Sequence, residues 1–92
     1  RSAAQAGNTT AAYNLGLLLK QRGDLDGAVS WYRTAAQAGN TSAANNLGVL
    51  LEQRGDLDGA ESWYRTAAEA GNTSAAYNLG ILLGQQRSRA GS

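Results

Sequence analysis

The chain has 92 residues, 42% hydrophobic and 16% charged, with a net charge of +1 and neither cysteine nor histidine. This length supports one small domain with a modest buried fraction. The interspersed acids and bases exclude the clustered basic face of a nucleic-acid binder, and Arg87 and Arg89 read as solvated ends. Lacking cysteine, the chain has no disulfide staple, thiol chemistry or zinc ribbon, which fits a cytosolic protein without identifying a compartment. No apolar run nears the roughly 20 residues of a membrane span, and no signal-peptide pattern opens the chain.

Residues 1–8, RSAAQAGN, copy RTAAQAGN of Arg33–Asn40. They read as the end of a preceding second helix, and the chain as an excised or engineered piece of a longer array. A first helix then places Ala12, Leu15, Leu18 and Leu19 on one face at helical spacing. Gly23 ends it as a left-handed cap, Asp24 is placed to accept N–H bonds from the next helix, and Asp26 adds charge that the helix dipole favours. A second helix buries Ala28, Trp31, Tyr32, Ala35, Ala36 and Ala38 and stops at Gly39. Asn40 and Thr41 make the connection and supply the next cap. Helices joined by so short a turn are antiparallel neighbours. With phenylalanine and methionine absent, Leu15, Leu18, Leu19, Trp31, Tyr32 and their repeats are expected to carry the core.

Everything then recurs 32 residues on: 9–40 is one unit, 41–72 a second, and 73–84 the first helix of a third, followed by a tail, 85–92, expected to fray or dock on a neighbour. A period of this size marks stacked supersecondary units, so the expected fold is all-α, an α-solenoid of antiparallel helix pairs. Gly16, Gly48 and Gly80 fall mid-helix, where glycine costs about 1 kcal/mol against alanine. Their repetition predicts close packing, with Ala28 and Ala60 as the expected contacts.

The pattern Ala12-x-x-Leu15-Gly16-x-x-Leu19, then Ala28-x-x-x-Tyr32 and Ala35, resembles the tetratricopeptide repeat. The junction from Trp31 to Gly48, WYRTAAQAGNTSAANNLG, is more similar to a Sel1-like repeat. Against the tetratricopeptide pattern, alanine (Ala12, Ala44) replaces the tryptophan, asparagine (Asn40, Asn72) replaces the late proline, and the unit is two residues shorter than the usual 34. The resemblance implies a helix-pair solenoid whose first helices line a concave face that receives peptides. Chaperone-binding members grip a C-terminal carboxylate there with basic and amide side chains. Only Asn46 resembles that clamp, while Tyr13, Leu17, Ser74 and Asn78 stand where its partners belong, so an acidic C-terminus is not the expected ligand.

The two full units differ at Thr10/Ser42, Tyr13/Asn45, Leu17/Val49, Lys20/Glu52, Val29/Glu61 and Gln37/Glu69. The first four trace one stripe along the first helix, which the third unit continues with Ser74, Tyr77, Ile81 and Gly84. Stacking is expected to align Tyr13, Asn45 and Tyr77, then Leu17, Val49 and Ile81, then Lys20, Glu52 and Gly84, beside the unvarying Asn14, Asn46 and Asn78. As a site, this stripe offers tyrosine contact area, asparagine amides for a peptide backbone and an aliphatic floor. As drift, it is what exposed positions accumulate after duplication, as Val29/Glu61 and Gln37/Glu69 are expected to show.

Without histidine or cysteine there is no ordinary general base near neutral pH and no thiolate. Asp24/Asp26 and Asp56/Asp58 suit helix starts, and GDLDG supplies too few oxygens for a hard cation. The expectation is a non-catalytic scaffold without cofactor, binding a protein or peptide. The alternative is a structural or designed repeat with no ligand, self-associating through its incomplete ends by stacking or swapping.

Overall fold

The computed structural model describes residues 2–91, with side chains described from 8 to 88. It contains five helices: α1 (Ser2–Gln21), α2 (Leu25–Gln37), α3 (Thr41–Gln53), α4 (Leu57–Glu69) and α5 (Thr73–Gly91). Each packs chiefly on its chain neighbours, α1 on α2, α2 on α3, α3 on α4 and α4 on α5, giving a body of 49 × 28 × 15 Å. Among the described residues there is no strand, and no helix is long and apolar enough to cross a membrane.

The turns follow from one local rule. Gly23, Gly39, Gly55 and Gly71 all adopt left-handed φ, between 87° and 101°, a conformation that costs a residue with a β-carbon about 1–2 kcal/mol. At the α2–α3 turn the Gly39 N–H bonds to the Ala36 carbonyl (3.0 Å), and the Asn40 N–H reaches back to Ala35 (3.0 Å), the paired bonds of a Schellman end. The Asn40 side chain then accepts from the Ala43 N–H at 2.8 Å and so starts α3. Asp24, Asp56 and Asn72 act alike: each closes one helix through its backbone and opens the next through its side chain. Such a cap is worth about 1 kcal/mol.

Burial depends on position in the stack more than on residue type. Leu47 and Leu50 on α3 are 0% and 1% exposed, because α3 lies between α2 and α4. Their counterparts on α1, Leu15 and Leu18, are 38% and 42% exposed, and Trp31 is 40% exposed whereas Trp63 is half-buried against the core. The expectation that Leu15, Leu18 and Trp31 carry the core is therefore corrected for the first unit, where α1 packs chiefly on α2 alone. Ala38 is also exposed, having become the C-cap of α2.

The contact that demands glycine differs from the expected one. A β-carbon on Gly16 would stand 2.6 Å from Tyr32 Cδ1, and one on Gly48 would stand 2.5 Å from Tyr64 Cε1. The tyrosine rings, rather than Ala28 and Ala60, lie across the first helices. Val29 is likewise a buried core residue, so its exchange for Glu61 is not drift on a free surface. Glu61 on α4 is half-buried and pairs with Arg65 at 2.9 Å.

At both ends the helices run through predicted boundaries. Helix α1 continues unbroken through Gly7 and Asn8, where a junction like Gly39–Asn40 was expected. An internal junction folds a whole second helix back onto its partner, and that burial offsets the hydrogen bonds broken at the turn. Ala3, Ala4, Gln5 and Ala6 are good helix formers, and running on through Gly7 and Asn8 keeps the backbone bonds that a turn would break. Helix α5 likewise carries on through the expected tail to Gly91, since Gln85, Gln86 and Arg87 are good helix formers and no proline intervenes.

Candidate functional site

The first helices α1, α3 and α5 are linked by side-chain amides. Asn46 on α3 donates to the Tyr13 hydroxyl on α1 (3.4 Å), and Asn78 on α5 donates to Asn45 Oδ1 on α3 (2.9 Å). Each link joins an unvarying asparagine to the variable position one repeat unit back. Asn46 and Asn78 thus spend an amide hydrogen inside the fold, while Asn14 on α1 is exposed.

The remaining stripe residues divide by depth. Leu17 and Val49 are half-buried and pack on the core as an apolar floor, and Lys20 is exposed. Tyr13 is half-buried with its ring 5.9 Å from that of Tyr32, whereas Tyr77 is 71% exposed. Tyr13 leans on the Tyr32 ring of the helix that comes next in the chain, whereas α5 is the last helix among the described residues. Ile81, 42% exposed, and Gly80, with nothing within 4 Å of a built β-carbon, share that open face.

Val49, Glu52 and Asn78 come together with two residues outside the expected set, Gln53 and Tyr64, around a cavity of about 400 Å³ that opens to solvent. Tyr64 is buried, and its hydroxyl donates to Glu52 Oε1 at 2.8 Å. A signal for Gln53 was present, since it continues the Asn46, Val49 face at helical spacing. The period placed Tyr64 in the core, but nothing in the sequence distinguished its hydroxyl from that of Tyr32. The ion pairs among the described residues, Arg54–Asp26 (3.1 Å) and Arg65–Glu61, leave Glu52 without a cation.

Both buried phenols resist ionisation. Burial, then the hydrogen bond to Glu52 and its charge, holds the Tyr64 phenol far above the ordinary value of 10.0. Burial also raises that of Tyr32, with the nearby Asn46 side chain lowering it by less, and its hydroxyl makes no hydrogen bond of full geometry. A raised folded value means that the stabilisation is complete below the unfolded value and is lost as pH climbs above it. Unfolding free energy is therefore expected to fall above about pH 10, by up to about 1.4 kcal/mol per pH unit from Tyr64, with Tyr32 contributing in the same direction. Urea unfolding between pH 9 and 11 checks this in order-of-magnitude terms, and Tyr64→Phe should flatten the decline.

A ladder of antiparallel helix pairs, turned by glycine and seated tyrosine-on-glycine, defines a helical repeat protein. The tetratricopeptide repeat model matches residues 1–43 and 39–75, and the chain belongs to that family. Repeats of this family generally mediate protein–protein interaction and typically serve as non-catalytic scaffolds. A comparison with curated proteins gives no match.

Proposed function

We propose that the chain is an interaction module that holds a peptide segment across the face formed by α1, α3 and α5. The observation that carries this is the open cavity among Val49, Glu52, Gln53, Tyr64 and Asn78, which puts an apolar floor, amides and a carboxylate within reach of one chain. Leu17 and Tyr13 extend the floor toward α1, and Tyr77, Asn78 and Ile81 extend it along α5. Peptides selected on this protein from a random display library should lose about tenfold in affinity, about 1.4 kcal/mol, when Val49 and Asn78 are both changed to alanine. Circular dichroism on the same sample should show helicity retained. Selected peptides that bind the variant undiminished would reject the site.

Self-association has its own support. Leu15, Leu18, Leu25 and Trp31 form an exposed apolar edge, while Leu47, Leu50, Leu57 and Trp63 at the same places one unit on are buried or half-buried. The surface that covers those residues inside the chain is made of this chain's own repeat, so a second copy is the occupant that fits the edge. Sedimentation of the intact protein against its Leu18→Asp variant separates the cases: only a stacked form loses mass on substitution.

A further inference from the structure

We infer that the α3–α5 cavity receives a cationic side chain, arginine above all, from the bound segment; this rests on the peptide-binding proposal above. Glu52 is half-buried, and one carboxylate oxygen accepts from Tyr64. A carboxylate has about four acceptor sites, so most of its capacity stays unused. Asn78 has committed an amide hydrogen to Asn45, which leaves its own carbonyl oxygen as a further acceptor on the cavity wall.

Each class of ligand side chain meets a different result. An anion would face a carboxylate with no cation to neutralise it. An aliphatic group would strip water from Glu52 and give nothing in return, which is costly for a charged group. A guanidinium instead brings planar donors matched to a carboxylate, and its methylene stem can lie along Val49 and the Tyr64 ring edge. The site also has a direction along the stack. In the first unit the residue matching Glu52 is Lys20, and the tyrosine matching Tyr64 is Tyr32, whose hydroxyl makes no hydrogen bond of full geometry. A cation is therefore drawn to the α3–α5 step and repelled from the α1–α3 step, which sets the register of the bound segment.

The test uses the full chain, isotope-labelled, titrated with two capped pentapeptides that are alanine except at the centre, one with arginine and one with citrulline, its neutral isostere. The arginine peptide should shift the resonances of Val49, Gln53 and Asn78 with an affinity about tenfold above that of the citrulline peptide. Added salt should erode the difference. Glu52→Gln, which keeps an acceptor for Tyr64, should abolish the preference without lowering the melting temperature. Equal binding of both peptides at the cavity overturns the cation assignment and leaves the peptide-binding face standing. No shift from either peptide overturns the cation assignment too, and the library-selected peptides then decide separately whether the face binds at all.

Discussion

Leu47→Ala is expected to destabilise the protein by about 2–5 kcal/mol, whereas Leu15→Ala should cost about 1 kcal/mol. The two leucines occupy the same place in neighbouring units and lie in almost the same local sequence. Leu47 is fully enclosed, so its truncation loses transfer free energy and leaves a cavity between α2, α3 and α4. Leu15 is 38% exposed, so its truncation removes less area and opens no enclosed void. Domains of this kind have total stabilities of about 5–15 kcal/mol, and small ones lie at the low end, so the first substitution removes much of the stability. Urea unfolding of both variants measures the difference directly. Equal costs would mean that the edge of α1 is covered in solution, which is what stacked copies would produce.

Gly48→Ala and Gly80→Ala should move stability in opposite directions. At Gly48 the added methyl meets the Tyr64 ring at 2.5 Å, and the ring is buried and tied to Glu52, so it has little room to yield. Overpacking of this kind costs about 1–3 kcal/mol. At Gly80 nothing stands within 4 Å, so alanine brings only its better helix propensity, about 1 kcal/mol of stabilisation. For a chain of this size, 1 kcal/mol corresponds to a shift of about 4–8 °C in melting temperature, so thermal unfolding resolves both signs. Stabilisation by Gly48→Ala would show that the tyrosine does not seat on the glycine.

Most of the secondary structure was legible because its signals are local. Gly23 and Gly39 announced helix ends, and Asp24 and Asn40 announced helix starts, with only backbone chemistry needed to read them. Whatever depended on neighbouring units was less visible. Leu15 and Leu47 look alike in sequence, and only the stack makes one an edge and the other a centre. Gly16 signalled close approach, but not that a tyrosine four residues past Ala28 makes it. The junction expected at Gly7–Asn8 shows the same limit: the turn chemistry is present, yet the helix runs on through it.

Of the candidate site, the stripe from Tyr13 to Ile81 could be drawn from repeat mismatches alone. The pairing within it could not, because Asn46 bonds to Tyr13 rather than lying beside Asn14, and Asn78 bonds to Asn45. Those links cross between helices, and their offset depends on how one unit leans on the next. Tyr64 was placed in the core by its period, and its hydroxyl enters the cavity only through Glu52 on the facing helix.

The turns have a consequence for any ligand laid along the first helices. Each corner is three residues long, and one residue both ends a helix and begins the next, so the corner has no slack. The chain behaves as a ruler. Its divisions are set by backbone hydrogen bonds at Gly23, Gly39, Gly55 and Gly71, while the core governs how firmly the ruler is held. Substitutions among Leu47, Leu50 and Tyr64 alter that stiffness. Only insertion or deletion at a corner would alter the spacing at which a partner is read.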